Sequence, residues 1–417
     1  MNRRMSFSHF IIGPVRTAVV LVAGALVAMG DPPPGVLDLD AVDEDALPEL
    51  AELTKPSVAQ LDDSIRRGVD FLISDQNKNG SWGSATRTKG LNIYAPIPGA
   101  HHAFRSGTSG LALQGILETE DRRPETVACI EKAEEWFLTQ LPRLRRADLT
   151  TTYNVWGHAY GLRALSSLYQ YREGDTEKQT AIRELAEEQI AMLKRYEDVN
   201  GGWGYLDFDA FTRKPSGIPT SFTTATVLIA MQEAREVMGL KLPEKEIGRS
   251  VRAIQQQRTP DFAYVYSFNH RYRPRYSINR PAGSLARSQA CSAALRYFGD
   301  EKVTDEVLEE WLARFVLRNG WIDIARKRPI PHETHFANSG YFYYYGFYYA
   351  TDCIEFLPEE DQLLYYKHLG KILLEKQEKD GSWWDYPLYT YHQPYGTGYV
   401  LTALARARAQ HVAAELK

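Results

Sequence analysis

The chain has 417 residues, 24% of them charged, and its formal net charge of −4 argues against a nucleic-acid-binding surface, which usually makes a domain basic. Its three cysteines, Cys129, Cys291 and Cys353, can close at most one disulfide bond, so a fold held by a disulfide framework is excluded. The protein must therefore be stabilised by its hydrophobic core.

The first 56 residues predict an export signal followed by a linker. Arginines precede an apolar run at residues 18–29, and small residues end that run as a signal-peptidase site requires. The run is shorter than the roughly 20 residues of a membrane span, but an uncleaved N-terminal anchor is the alternative. We expect residues 1–30 to be a signal peptide, residues 31–56 to be an acidic Pro-rich linker, and the mature protein to be periplasmic or secreted.

From residue 57 onward, amphipathic helical patterns alternate with apolar ones. In the first amphipathic helix, residues 58–74, the apolar side chains fall mostly on one face. The next helix, residues 107–118, is rich in Gly, Ala and Leu, as expected of a helix buried on all sides. The other predicted outer helices are residues 129–140, 176–196, 244–257, 305–317 and 359–377, and the other inner helices are residues 155–169, 223–238, 285–298, 339–356 and 396–409.

A short loop motif recurs between these helices. Residues 377–383 read Gln-Glu-Lys-Asp-Gly-Ser-Trp, residues 76–82 are a near copy, and residues 200–204 and 319–321 are weaker copies. The four tryptophans are 121, 118 and 62 residues apart, which corresponds to two, two and one units of about 60 residues. The predicted repeat residues are Gln76, Gly80, Trp82, Trp203, Trp321, Gln377, Gly381 and Trp383.

Six such units fit into residues 57–417. Helical hairpins that pair a half-exposed helix with a buried one can close into an inner ring of helices surrounded by an outer ring. The predicted fold is therefore all-α, an (α/α)6 toroid, and no segment has the pattern of a strand long enough to compete.

The loops, their spacing and the inner-helix start at residues 391–399 (Tyr-His-Gln-Pro-Tyr-Gly-Thr-Gly-Tyr) resemble the prenyltransferase and squalene-cyclase (terpene cyclase) repeat family. The resemblance covers nearly all of residues 57–417. It implies an axial cavity lined by the N-terminal ends of the inner helices, which in this family takes long isoprenoid chains. It also implies that the Gln and Trp of each loop tie one hairpin to the next.

The family's catalytic motifs are not retained. Class II cyclases carry an Asp-x-Asp-Asp acid at the start of one inner helix, where this chain has Pro-Thr-Ser-Phe-Thr-Thr-Ala at residues 219–225. Asp207 and Asp209 lie nearby in a loop, where they could do acid–base chemistry or form a solvated turn.

A catalytic zinc site is incomplete as well. Protein prenyltransferases of this family hold zinc with Asp, Cys and His. Here His392 matches the zinc-binding His, but Gln289 precedes Cys291 where the family has Asp. We predict no cofactor, and a zinc ion bound by Cys291 and His392, with His335 as a further ligand, is the alternative.

Polar loops before the inner helices permit a second interpretation. His332 and His335 lie before one inner helix, and Arg271, Arg273 and Arg275 lie before another. Arginines bind carboxylates bidentately, so this set would suit a lyase or hydrolase acting on an acidic polysaccharide, by analogy of fold alone. A solvated basic loop is the alternative interpretation of the arginines.

The aromatic run at residues 341–349 supplies rings for a cavity wall or for core packing. The leading hypothesis is that the protein binds or transforms an apolar isoprenoid-like small molecule. The alternatives are the acidic-polysaccharide enzyme and a non-catalytic module that binds a partner in the cell envelope. The predicted catalytic residues are His158, His335 and His392, and the predicted ligand-binding residues are Asn154, Thr223, Arg287 and Tyr345.

Overall fold

The computed structural model describes residues 48–90, 93, 95, 98–145, 153–205, 214–273, 275–332 and 337–416. The predicted signal peptide, most of the linker, Asp207, Asp209 and His335 lie outside this part of the chain. Across the described residues the regular structure is helical, and no β-strand forms.

The six predicted hairpins are present. The outer helices are α1 (Val58–Asp75), α3 (Pro124–Gln140), α5 (Thr176–Tyr196), α7 (Glu244–Gln255), α9 (Asp305–Leu317) and α12 (Glu359–Glu375). The inner helices are α2 (Gly99–Glu118), α4 (Asn154–Tyr171), α6 (Ser221–Met238), α8 (Pro281–Tyr297), α11 (Tyr343–Glu355) and α13 (His392–Leu416), and a short α10 (Asn319–Asp323) follows α9.

Side chains at the helix starts explain several of these boundaries. Ser57 and Gln60 form a reciprocal capping box at the start of α1. The hydroxyls of Thr220 and Thr304 cap α6 and α9. Each accepts one hydrogen bond from a free backbone N–H of the first turn. Contacts between neighbours in the sequence therefore help to define these helix starts.

The inner helices form a closed ring. Each inner helix packs against the next one along the chain, and the last, α13, packs against the first, α2. Small residues allow the closest approach at this seam, because a Cβ on Gly398 would lie 2.4 Å from the carbonyl oxygen of Leu111. The outer helix α1 also contacts α12, so the outer layer meets at the same seam. The predicted (α/α)6 toroid is confirmed.

Three of the repeated loops have the same hydrogen bonds. The indole N–H of Trp82, Trp203 and Trp383 donates in each case to the carbonyl of the leucine ten residues earlier, at 2.8 to 2.9 Å. The backbone N–H of each tryptophan also donates to a Ser or Thr hydroxyl on the following inner helix. Each tryptophan thus joins an outer helix to the inner helix that follows it.

The glutamines join neighbouring hairpins. The side-chain amide of Gln76 donates to Cys129 O in α3 at 2.9 Å, and the amide of Gln377 donates to Ser64 O in α1 at 2.9 Å. The loop that follows α12 is therefore attached to the first outer helix of the chain. This contact closes the outer layer across 313 residues of sequence.

Trp321 does not take part in this arrangement. It lies in α10 and remains 45% exposed, whereas the other three tryptophans are fully buried. In the fourth unit, the hairpin of α7 and α8, Tyr264 takes the buried position of the tryptophan. The loop before it has a backbone hydrogen bond from Thr259 N to Ala263 O, which matches the bond from Asn77 N to Ser81 O before Trp82. The repeat is thus kept by backbone geometry where the Gly-Trp sequence is lost.

In the part of the chain that the structure describes, no helix is both long and apolar enough to cross a membrane. The three cysteines are buried and free.

The contact between the loop after α12 and the first outer helix, α1, can be tested with Gly381→Ala. Gly381 has φ +90°, and a Cβ there would lie 2.4 Å from Arg67 O in α1, whereas Gly174 has φ +87° and no atom within 4 Å. We expect Gly174→Ala to cost roughly 1–2 kcal/mol of unfolding free energy through backbone strain alone. Gly381→Ala should cost about 1–3 kcal/mol more, because α1 must also move. Urea unfolding of both variants measures the difference, and equal losses would show that the loop does not press on α1.

Candidate functional site

A cavity of about 410 Å³ lies at the N-terminal ends of the inner helices. Five of the six inner helices contribute to its wall, which places it at the centre of the ring. Loop residues such as Ile93, His332 and Leu388 complete it at the helix-start end. The residues that line it are Ile93, Ala103, Phe104, Gly107, Thr108, Leu111, Tyr153, Trp156, Tyr160, Tyr205, Phe222, Pro331, His332, Tyr341, Phe342, Tyr345, Leu388, Tyr395 and Tyr399.

Aromatic rings dominate this wall. Among the described residues, nineteen line the cavity; eleven of these are Phe, Tyr or Trp, and none is Asp, Glu, Lys or Arg. The rings pack on one another, as Trp156 does on Tyr160 with centroids 5.8 Å apart and Phe222 on Phe342 at 4.9 Å. Such a surface favours an apolar or flat ligand and offers π faces to a positive charge.

Most of the deep tyrosine hydroxyls are bonded to protein groups. The Tyr345 hydroxyl donates to Phe222 O at 3.0 Å, and the Tyr399 hydroxyl donates to that of Tyr160. The ligand would therefore meet the rings of these residues rather than free hydroxyl groups.

One wall of the cavity is more polar. The hydroxyl of Tyr341 lies 3.1 Å from His332 Nε2, and His332 Nδ1 lies 2.6 Å from Ala337 O. Behind Tyr341, the hydroxyls of Tyr266 and Tyr205 are 2.5 Å apart. Burial lowers the pKa of His332 to about 4, so its imidazole is neutral near pH 7.

His332 also has an unusual backbone, with φ +56°. Residues other than Gly rarely adopt this conformation, and it costs free energy. The surrounding loop therefore holds His332 in a backbone conformation that the residue would not adopt by itself. Such strained residues are common at functional sites.

A buried carboxyl group stands behind another wall residue. Asp385 is fully buried, and its two oxygens accept hydrogen bonds from the Tyr395 hydroxyl at 2.7 Å and from the Tyr344 backbone N–H at 3.1 Å. Burial raises the pKa of Asp385 to about 7, despite these hydrogen bonds. A carboxyl group with this pKa can release a proton near neutral pH, and Tyr395 connects it to the cavity.

Further along the axis, a buried ionic cluster follows the cavity. Arg163 Nε lies 2.7 Å from Glu233 Oε2, and Arg406 NH1 lies 2.7 Å from Asp352 Oδ1. Arg163 and Asp352 are 2% and 1% exposed, and the guanidinium of Arg163 lies 4.6 Å from the centre of the Tyr348 ring. Charged groups at this depth need such partners because their desolvation is costly.

Among the predicted ligand-binding residues, Tyr345 lies on the cavity wall. Arg287 lies behind the wall, with its guanidinium 5.6 Å from the centre of the Tyr266 ring and 5.9 Å from that of Phe342. It donates to three backbone carbonyls, including Ile278 O at 2.6 Å, and has no carboxylate partner among the described residues. Burial lowers its pKa to about 10. Arg287 thus fixes the loop that carries Tyr266.

Asn154 and Thr223 are buried at the starts of α4 and α6, but they are not among the cavity-lining residues. Thr223 accepts a hydrogen bond from the Thr220 hydroxyl at 2.7 Å, so it belongs to the cap of α6. The side-chain amide of Asn154 bonds to none of the described residues. Their predicted ligand-binding roles remain predictions.

Two of the predicted catalytic histidines face away from the cavity. His158 Nδ1 lies 2.7 Å from Gln189 Oε1 of the outer helix α5, and burial lowers its pKa to about 4. His392 Nδ1 lies 2.6 Å from Tyr389 O, and its ring packs edge-on against Trp384. The structure therefore does not bring these histidines together at one site, and His335 lies outside the described residues.

The donors proposed for zinc have different neighbours. Cys291 lies in α8 next to Ser221, and burial raises the pKa of its thiol to about 12, which disfavours the thiolate that zinc requires. His392 contacts Tyr389 and Trp384 instead. Within the described ranges, no three His, Cys, Asp or Glu side chains form a group that could hold a metal ion. These residues do not fit a zinc site.

The basic loop lies outside the cavity wall. The guanidinium of Arg271 lies 3.3 Å from the centre of the Phe268 ring and donates to Gln256 Oε1 at 2.9 Å. Arg273 and Arg275 are exposed. None of the three is a lining residue.

Of the groups at the cavity, Asp385 and Tyr395 were not predicted as site residues, and His332 was named only as part of a polar loop. Asp385 follows the repeat tryptophan Trp383 by two residues, and Tyr395 lies in the inner-helix start that carries the family resemblance, so both were within reach of a motif argument. His332 lies three residues before His335, and only His335 was predicted to be catalytic. No pattern distinguishes the two histidines before the loop conformation is known.

No protein-family model matches the chain, and no curated protein sequence matches it. Among solved structures, a GH76 α-mannanase from Bacteroides thetaiotaomicron is similar, with 12% identity, a TM-score of 0.50, and coverage of 85% of this chain and 97% of that one. The type II terpene cyclase MstE from Scytonema has 13% identity, a TM-score of 0.48, and coverage of 85% and 100%. A protein from Klebsiella pneumoniae described as a possible member of the GH105 family has 12% identity, a TM-score of 0.49, and coverage of 86% and 96%. At such identities the likeness to the mannanase shows a common (α/α) toroid fold and nothing about the substrate.

The raised pKa of Asp385 predicts a pH-dependent loss of stability. Because its pKa is about 7 in the folded protein and 3.8 as a free group, the folded state binds this proton more tightly than the unfolded state. The carboxyl group therefore lowers stability as pH rises from about 4 through about 7. Asp385→Asn cannot ionise, so relative to wild type it should gain on the order of 2 to 4 kcal/mol between pH 4 and pH 8.

Urea unfolding of both proteins across this pH range measures the effect. Comparison with the variant cancels the contributions of the other titrating groups. Parallel stability curves would contradict the proposed pKa.

Proposed function

We propose that this protein binds an apolar small molecule of isoprenoid type in its axial cavity. The observation that carries the proposal is the composition of the wall as far as the structure describes it, since eleven of its nineteen described residues are aromatic and none of the nineteen is charged. Burial of apolar ligand surface against such a wall is favourable, whereas a charged ligand would lose its hydration without gaining a partner.

The volume sets the size of the ligand. An apolar protein cavity of about 150 Å³ holds one benzene molecule. By that measure, a cavity of about 410 Å³ accommodates on the order of 15 carbon atoms. This corresponds to three isoprene units, and 410 Å³ also lies within the usual range of small-molecule sites, about 300–1,000 Å³.

Two pairs of residues could support chemistry on a bound ligand. Asp385 with Tyr395 forms an acidic pair, and His332 with Tyr341 forms a basic pair. Their pKa values are shifted in opposite directions, so the carboxyl group retains a proton and the imidazole remains neutral in weakly acidic solution. This arrangement supports a terpene cyclase-like reaction, in which a proton is transferred to the bound ligand. The predicted roles of His158, His335 and His392 remain a separate hypothesis.

The alternative of an enzyme acting on an acidic polysaccharide has less support from the geometry. Such a substrate needs cations in the binding site, and Arg271, Arg273 and Arg275 are not on the cavity wall. An increase in absorbance from unsaturated sugar products, when the protein is incubated with uronate polymers, would support this alternative.

The other alternative is a non-catalytic module that binds a partner in the cell envelope. In that case, replacing His158, His335 and His392 together should leave the cellular phenotype intact.

We also propose that residues 1–30 are removed during export and that residues 57–417 form the functional unit. The charged and apolar segments described above support this. N-terminal sequencing of the protein recovered from the cell envelope or the medium tests it, and an intact N-terminus would contradict cleavage.

Filling the cavity should abolish binding. Ala103 lines the cavity from α2, so Ala103→Phe places a ring where the ligand would lie. We expect the thermal shift caused by a 15-carbon isoprenoid to disappear in this variant, while Ala128→Phe, an exposed change on α3, leaves it unchanged. Mass spectrometry of the native protein should also detect a co-purifying lipid. A wild-type protein without lipid and without a thermal shift would refute the proposal.

A further inference from the structure

We propose that the ligand of this cavity is an alcohol, whose hydroxyl group donates a hydrogen bond to the phenol oxygen of Tyr341. This inference rests on the proposed function, because it specifies the polar end of the apolar ligand. It depends on the direction of the hydrogen bonds at the polar wall.

The direction is fixed by a backbone carbonyl. Ala337 O lies 2.6 Å from His332 Nδ1, and a carbonyl oxygen can only accept, so the proton of the neutral imidazole must reside on Nδ1. Nε2 is then an acceptor, and it lies 3.1 Å from the Tyr341 hydroxyl. Tyr341 must therefore donate its only hydroxyl proton to His332.

Tyr341 consequently presents an oxygen that can still accept. The neighbouring Tyr266 hydroxyl is 3.5 Å away, at the limit of a hydrogen bond, and has a closer partner in Tyr205 at 2.5 Å. Tyr341 and His332 both line the cavity. The Ser339 side chain also donates a hydrogen bond to the Tyr341 oxygen. Because a hydroxyl oxygen has two lone pairs, the polar group that this pair offers to a ligand is one remaining acceptor position, which a donor from the ligand can fill.

This requirement selects among possible head groups. A carboxylate or phosphate would bring its own lone pairs against the Tyr341 oxygen, and no Lys or Arg lines the described cavity wall to compensate. The nearby Arg287 is already bonded to backbone carbonyls and is separated from the cavity by the rings of Tyr266 and Phe342. An ether or a ketone cannot donate. A neutral hydroxyl at the end of an apolar chain satisfies the site.

The experiment compares four probes with the same 15-carbon chain: farnesol, farnesyl methyl ether, farnesoate and the hydrocarbon farnesene. Displacement of a fluorescent apolar dye from the full-length protein gives the affinity of each. We expect wild type to bind farnesol about tenfold more tightly than the ether or the carboxylate, as one buried hydrogen bond would give.

Tyr341→Phe removes the acceptor and retains the ring. We expect it to weaken farnesol binding about tenfold, to the level of the ether, without changing the affinity for farnesene. Tyr365→Phe is the matched control, because Tyr365 lies on the outer helix α12, its hydroxyl bonds to Glu309 O and it does not line the cavity, so the preference for farnesol should persist.

His332→Leu tests the direction of the hydrogen bond. Without His332, the Tyr341 hydroxyl becomes free to donate, so the ether should bind more tightly and the tenfold preference for farnesol should fall towards one. A purely structural role of His332 would weaken all four probes equally and would overturn the inference.

The outcomes separate the two proposals. If none of the four probes binds to wild type, the proposed function fails. If all four bind with equal affinity, or if Tyr341→Phe leaves the preference for farnesol intact, the cavity takes apolar ligands but the inference of an alcohol is wrong.

Discussion

The ring of this protein is held closed by a side chain that reaches from the last repeated loop to the first helix. The amide of Gln377 donates to Ser64 O in α1 and to Gly381 O in its own loop, as Gln76 does between its loop and α3. Bringing two segments this far apart in sequence together has an entropic cost, which the packing of α13 on α1 and α2 helps to offset. The axial cavity exists because this closure encircles the helix starts.

Burial determines the charge of two titratable groups at the cavity, Asp385 behind the wall and His332 on it. Removal from water disfavours the charged form of every group, so the pKa of the Asp385 carboxyl rises and that of the His332 imidazole falls. Both groups are therefore neutral in weakly acidic solution, although one is an acid and the other a base. Neither group then holds a permanent charge that would attract water.

The fold was predictable from the sequence because its main signals are repeated. The spacing of Trp82, Trp203 and Trp383 indicates the number of hairpins, and the outer helices show the amphipathic pattern of a half-exposed surface. Trp321 was misleading, because it belongs to a Gly-Trp pair that resembles the repeat in sequence but lies in a short helix, where the ring is half-exposed and not buried.

The site was less predictable for two physical reasons. An inner helix is buried on all sides, so its residues carry no periodicity that reveals which face points to the axis. His158 lies in an inner helix and was predicted to be catalytic, but its ring faces the outer helix α5. The groups at the polar wall depend on loop conformations, such as the positive φ of His332, which sequence patterns do not specify. Tyr345 lies on the cavity wall because the aromatic run around it supplies rings in every direction, and its role in ligand binding stays a prediction.

The ionic cluster of Arg163, Glu233, Asp352 and Arg406 has a consequence for traffic through the ring. It lies between α4, α6, α11 and α13, three to eleven residues beyond the last cavity-lining residue of each helix, and leaves Arg163 and Asp352 almost without exposure. These charged side chains are therefore packed deeper between the inner helices than the cavity. A ligand of the kind proposed above would have to enter from the helix-start end, and a chain much longer than the cavity would keep its tail outside.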